Sequence, residues 1–172
     1  MRSFARAAYQ IAGKLPAPLK AALVQMREDR FLVAVLAVVT DDAGRILLFR
    51  HTYRPFAPWG LPSGVLKANE TLEDSMRREI REEAGLDVTF DEILRVRASS
   101  HPRRLDVWMR YRALLGAPHP QSPEVDAVQF FALDALPELI VEQRLFLQEL
   151  GPRIFISPAG SASSSIRSGI GS

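Results

Sequence analysis

Three glutamates, Glu79, Glu82 and Glu83, stand at i, i+3 and i+4. On a helix that spacing puts their carboxylates on one face. Like charges so placed repel, by about a few tenths of a kcal/mol per pair. A helix that only needed to stay solvated would interleave lysines there. Several converging oxygen ligands are what a hard cation such as Mg2+ requires. Arg78 adjoins Glu79 and lies four residues before Glu82, so it can orient a carboxylate. Glu70 lies just upstream, where it can reach Arg78 or a metal-bound water.

The segment carries its own helix signals. Thr71 followed by Asp74 reads as a capping box. Gly85 sits where a left-handed C-terminal cap belongs. Leu72, Met76, Ile80 and Ala84 recur every four residues and form one apolar stripe. A helix over 71–84 therefore buries that stripe and turns its acidic face outward.

Read as a whole, Gly64, Glu70, Arg78, Glu79, Ile80, Glu82, Glu83, Gly85 and Leu86 follow the pattern G-x5-E-x7-R-E-U-x-E-E-x-G-U, with U a bulky apolar residue. This resembles the signature of the Nudix hydrolases at every specified position. The resemblance implies an α/β (α+β) fold, an α/β/α sandwich with a mixed sheet between helices, over residues 31–150. It implies a Mg2+-dependent pyrophosphohydrolase, with Mn2+ as a substitute. Such an enzyme cleaves the diphosphate of a nucleoside diphosphate derivative by attack of water on phosphorus. It implies Glu79, Glu82 and Glu83 as metal ligands, with the backbone carbonyl of Ser63, the residue before the motif glycine. Glycine is commoner at that position. Glu79 could instead take the proton from the attacking water. A further catalytic carboxylate, from a loop before the next-to-last strand in the family, corresponds to Glu124, with Asp126 as its competitor. Pro102 lies sixteen residues past Leu86, which resembles the ADP-ribose pyrophosphatase pattern. That makes ADP-ribose or another nucleotide sugar a candidate substrate. The alternatives are a non-catalytic nucleotide-sensing or protein-binding module and an RNA 5′-end pyrophosphohydrolase. The isomerase branch of the fold relies on a cysteine, and this chain has none.

Substrate contacts are less legible. Arg50, His51, Tyr53 and Arg54 precede the motif and could bind phosphate or stack a base. Arg103, Arg104, Arg110 and Arg112 could do so from later strands. Trp59 reads as a packing residue.

The elements around the motif follow from patterning. Residues 31–39 form an apolar run of strand length, expected to be buried on both faces. Asp41, Asp42, Ala43 and Gly44 make a turn into a hairpin strand at 45–50. Residues 51–62 read as a loop rich in proline and aromatics. Strands are expected at 91–98 and 105–115, joined around His101 and Pro102. In the second, Val107, Met109 and Tyr111 alternate with Asp106, Trp108, Arg110 and Arg112. A strand at 125–133 and a helix at 137–150, closed by Gly151 and Pro152, complete the domain.

At 172 residues the chain has room for one domain. The expected division is a basic helical extension at 1–28, the Nudix domain at 29–152, and a disordered Ser/Gly-rich tail at 153–172. With no cysteine, disulfides, zinc–thiolate sites and thiol nucleophiles are excluded. The net charge of +2 makes no global case for nucleic acid, so no DNA partner is expected. No apolar run approaches a membrane span. The expected partner is a nucleotide-containing small molecule, the expected location the cytoplasm, and a homodimer is one option for assembly.

Overall fold

The computed structural model of the chain describes residues 16–19, 30–114 and 116–154. The elements are β1 (Leu32–Thr40), β2 (Ile46–His51), β3 (Trp59–Gly60), β4 (Ser63–Val65), α1 (Leu72–Ala84), β5 (Val88–Ser100), β6 (Arg103–Ala113), β7 (Val125–Phe131), a 3-10 turn Leu133–Ala135, and α2 (Val141–Ile154). Apart from a helical turn at 17–19, the expected extension at 1–28 lies outside the described residues, as does the expected tail beyond 154.

The strands form one mixed sheet in the order β3-β2-β1-β6-β5, with β4 added to β1 and β7 to β2. β1 runs parallel to β6, from Leu32 opposite Arg104 to Thr40 opposite Arg112. A parallel neighbour demands cover on both faces, and the sequence of β1 supplies it. Val35, Ala37 and Val39 join the core under α1, with Met76, Ile80 and Ala84. Val38 joins the core under α2, with Phe146, Leu147 and Leu150. The alternation in β6 sorts the same way: Val107, Met109 and Tyr111 face α1, and Trp108 faces α2. The result is the α/β/α sandwich with a mixed sheet.

The expected hairpin of β1 and β2 is much reduced. The two strands share only the register pair Thr40–Ile46. Beyond that pair they diverge, because each has a more extensive partner. β1 is taken by β6 and β4, and β2 by β7 and β3. The divergence leaves room for the 51–62 segment and for β4, whose Gly64 lies opposite Val35.

The second helix also departs from expectation. It begins at Val141 rather than at Pro137 and runs through Gly151 and Pro152 to Ile154. Upstream, Leu139 bridges to Trp59 in extended conformation. Gly151 does not end the helix; a methyl group there would stand 2.7 Å from Leu133 Cδ2, so glycine permits the close approach of the 3-10 turn.

Candidate active site

α1 forms as its sequence signals dictate. The Thr71 hydroxyl accepts a hydrogen bond from the Asp74 amide at 3.1 Å. Gly85 adopts a left-handed φ of 63° and its amide donates to the Arg81 carbonyl. The apolar stripe is buried, and the acidic face turns toward β4 and the 117–124 loop.

Gly64 and Glu79 fix how closely α1 meets β4. A methyl group on Gly64 would stand 2.5 Å from Glu79 Cδ and 2.6 Å from Oε1. The Glu79 carboxylate therefore lies directly over the bare glycine backbone. Ser63, just before it, pairs with Leu36 of β1, so its carbonyl belongs to the same strand end.

Arg78 ties the acidic groups together. Its Nε donates to Glu70 Oε1 at 2.6 Å and its Nη2 to Glu70 Oε2 at 3.1 Å, a two-pronged pair. Its Nη1 donates to Glu79 Oε1 at 2.8 Å and to Glu82 Oε2 at 3.2 Å. The hydrogen bond from Arg78 holds the Glu70 carboxyl down at about 2. A depressed carboxyl stabilises the fold above its unfolded value near 4.5 and loses that contribution as pH falls toward 2. Arg78→Ala is therefore expected to flatten the acid limb of stability. The loss of thermal stability between pH 5 and pH 3 should be smaller in the variant than in the parent, as followed by circular dichroism.

Glu83 is placed differently. Its Oε2 is buried and has no hydrogen-bond partner. Burial first, then the neighbouring Glu79, Glu124 and Glu82 carboxylates, push its carboxyl up to about 7, against the opposing charge of Arg54. A buried, unsatisfied carboxylate among others is costly unless a cation meets it.

Glu124 reaches this group through main-chain bonds. The His119 amide donates to the Ala84 carbonyl and the Gln121 amide to the Glu83 carbonyl, both at 3.0 Å. These bonds satisfy the carbonyls that the end of a helix leaves open. Thr52 adds a bond from its amide to the Glu124 carbonyl at 2.9 Å. Asp126 is drawn elsewhere, into an ion pair with Arg50 at 2.6 Å.

The structure thus gathers Glu70, Arg78, Glu79, Glu82 and Glu83 along one face of α1, with Ser63 of β4 and Glu124 beside it and the Arg54 charge acting on Glu83. Arg50 pairs with Asp126 and lies over the Trp59 ring at 5.9 Å. Tyr53 is exposed, with the Arg54 guanidinium over its ring at 5.5 Å. Arg110 and Arg112 are not brought to the motif. They lie on the α2 side of β6, where Arg110 pairs with Glu92 at 2.8 Å and Arg112 with Asp91 at 3.2 Å. Gly60 and Gln143 were not legible as site-adjacent: Gln143 reaches from α2 to accept the Leu61 amide at 3.0 Å, a contact across 82 positions with no local signal.

Among the described residues, no three His, Asp or Glu side chains stand in ready metal-holding geometry. Glu79 and Glu82 are both engaged by Arg78 Nη1. The donor set nonetheless fits a hard cation. It is all oxygen, and the unsatisfied Glu83 Oε2 is the atom such an ion would relieve.

Known proteins bear on this arrangement. An RNA pyrophosphohydrolase of Saccharophagus degradans is 37% identical over 84 residues, 49% of this chain and 44% of that protein. The NAD-capped RNA hydrolase NudC of Pseudomonas aeruginosa is 31% identical over 110 residues, 64% of this chain and 40% of that protein. The chain thus spans less than half the length of these curated relatives. A crystal structure of an ADP-ribose pyrophosphatase from Streptococcus suis superposes with a TM-score of 0.59 at 29% identity, covering 71% of this chain and 92% of that one. Residues 30–150 match the family model described as the NUDIX domain, and on that match the chain belongs to the Nudix family.

Proposed function

We propose that the chain is a Mg2+-dependent pyrophosphohydrolase that cleaves the diphosphate linkage of a nucleoside diphosphate derivative. The observation that carries this reading is Glu83 Oε2, buried without a hydrogen-bond partner among the Glu79, Glu82 and Glu124 carboxylates. Glu79, Glu82 and Glu83, with the Ser63 carbonyl, would hold the cation. When bound, it supplies positive charge to the phosphate oxygens and to the attacking water. The protein's own share is positioning and charge compensation. Arg78 keeps Glu70, Glu79 and Glu82 in fixed relation. Glu79 or Glu124 takes the proton of the water. The oxygen of that water bonds to phosphorus, the phosphorus–bridging-oxygen bond breaks, and two phosphate monoesters result.

For the substrate we favour a nucleotide sugar such as ADP-ribose. The likeness to the Streptococcus suis ADP-ribose pyrophosphatase supports this, as does Pro102 in the turn between β5 and β6. A second reading, an RNA 5′-end pyrophosphohydrolase, is supported by the 37% identity to the Saccharophagus degradans RNA pyrophosphohydrolase. A panel of nucleotide sugars, dinucleotides, nucleoside triphosphates and triphosphorylated or capped RNA separates them, with products identified by mass. We expect turnover of a nucleotide sugar that requires Mg2+ and that Mn2+ sustains. RNA turnover with binding that weakens steeply in salt would select the second reading. Absence of turnover across the panel, with nucleotide binding unaffected by Glu79→Gln, would instead indicate a non-catalytic nucleotide-binding module. Among the described residues no helix is long and apolar enough to cross a membrane. We place the activity in the cytoplasm, and sedimentation of the full chain checks for a homodimer.

A further inference from the structure

The segment from Trp59 to Val65 passes from one ladder to another on its way into the motif. Gly60 lies opposite Phe49 of β2, while Ser63, Gly64 and Val65 lie opposite β1. The change of partner falls at Leu61 and Pro62. Pro62 has no amide hydrogen to offer, and its carbonyl accepts the Ala37 amide of β1 at 2.9 Å. The Leu61 amide, on a fully buried residue, bonds to neither ladder. Its partner is the side chain of Gln143, whose Oε1 accepts it at 3.0 Å. A buried main-chain donor of this kind is costly to leave unmade.

Gln143 is itself firmly held. It is 3% exposed and stands in the first turn of α2. Just upstream, Leu139 bridges to Trp59, and Arg144 Nη2 donates to the Pro137 carbonyl at 3.0 Å. Farther along, Phe146, Leu147 and Leu150 pack the helix into the same apolar cluster as Leu61. Gly60 leaves room for the carboxamide, since a methyl group there would stand 3.3 Å from Gln143 Oε1. In an antiparallel ladder every second residue turns its main-chain groups away from the partner strand. Pro62 and Leu66 bond to β1 at Ala37 and Val33, so Ser63 belongs to the outward set. The Leu61 amide and the Ser63 carbonyl thus lie on the same edge of the segment, and Gln143 grips that edge. One residue on, Gly64 lies under the Glu79 carboxylate. A roll of residues 61–63 about the chain axis would turn the Ser63 carbonyl relative to that carboxylate.

We propose that Gln143 is a positioning residue of the cation site: by holding the Leu61 amide it sets the orientation of the Ser63 carbonyl relative to the Glu79 carboxylate. The assignment rests on the reading of Glu79, Glu82, Glu83 and the Ser63 carbonyl as the cation's ligands. It extends that site to α2, on the other face of the sheet from α1, through a single side-chain bond to the main chain. Groups that orient a metal ligand act in this way without touching the ion. Gln143→Leu removes the acceptor at similar volume. Gln143→Glu keeps an acceptor oxygen at the same reach. Leu150→Ala opens a space along the same helix and leaves the carboxamide in place.

Mg2+ is titrated calorimetrically into the full chain and the three variants, with unfolding temperatures measured in chelator alongside. We expect Gln143→Leu to weaken Mg2+ binding by about ten- to a hundredfold, the scale for a partner that orients a metal ligand. Gln143→Glu should retain most of the affinity. Leu150→Ala should lower the unfolding temperature and leave Mg2+ affinity as in the parent. Should Gln143→Leu not fold, Gln143→Asn, one methylene too short to reach Leu61, takes its place with the same expected loss. If removing the acceptor weakens Mg2+ no more than Leu150→Ala does, the bond is only structural and the proposal falls. It falls as well if Gln143→Glu loses as much affinity as Gln143→Leu. A parent chain that binds no Mg2+ overturns the cation site itself, and the role of Gln143 with it. A parent that binds Mg2+ with an affinity that every Gln143 variant matches overturns the role of Gln143 alone.

Discussion

Glu83→Gln is expected to reduce Mg2+-dependent hydrolysis by on the order of 10²–10³-fold in kcat, the scale seen when one preorganised electrostatic group is lost. The same substitution is expected to stabilise the metal-free protein at pH 8. Its carboxyl is pushed up to about 7 by burial and by Glu79, Glu124 and Glu82. The unfolded chain would ionise it near 4.5, so between these values the folded state binds more protons than the unfolded one. The contribution of Glu83 to stability therefore falls as pH rises from about 4.5 to 7, and stays low above that. Glutamine keeps the shape and removes the charge. Unfolding temperatures of the parent and the variant, measured in chelator at pH 5 and pH 8, should diverge at the higher pH. Adding Mg2+ should raise the parent at pH 8 and leave the variant little changed. A variant that unfolds earlier than the parent at pH 8 without metal would contradict this account of the site.

Gly64→Ala is expected to separate folding from catalysis. The new methyl group would press on Glu79 Cγ as well as on Cδ and Oε1, so the side chain must turn from Cβ outward. The glutamate can swing aside, at an overpacking cost of about 1–3 kcal/mol. It cannot then hold both the Arg78 bond and its place over β4. A displacement of that size in a reacting array costs about 10²-fold in rate. Circular dichroism should show a native spectrum while kcat on the best panel substrate collapses. Retention of full activity would mean that Glu79 does no work from where it stands.

α1 was legible almost to the residue because its information is local. Thr71, Asp74, Gly85 and the four-residue apolar stripe all act within a few turns of one another. The double burial of β1 was legible from its unbroken apolar run. What could not be read were features decided by distant partners. β3 and β4 are two and three residues long, too short to show a period. The near absence of pairing between β1 and β2 follows from competition by β6 and β7, which no local pattern reveals. The start of α2 is not legible because 137–140 continues the apolar pattern of the helix, whereas Leu139 is held extended against Trp59. Among the site residues, the acidic helix face was evident from spacing alone. The placement of Arg110 and Arg112 on the far side of the sheet follows from strand alternation. Their ion pairs with Glu92 and Asp91 need the register of β5.

The loop that carries Glu124 has a further property. It is fastened to the end of α1 by the amides of His119 and Gln121 and to the 51–58 segment through the Thr52 amide. Side chains add to these main-chain fasteners: the Thr52 hydroxyl donates to the Pro123 carbonyl at 3.0 Å, and Ser122 Oγ accepts the Glu124 amide at 3.2 Å. The Gln121 and His119 side chains lie against the bare face of Gly85, where a methyl group would stand 2.5 Å from Gln121 Nε2. One residue more or fewer between 117 and 123 would shift the amides off the carbonyls of Ala84 and Glu83. The position of the Glu124 backbone is thus a matter of loop length, and its local setting depends on Ser122 and Thr52.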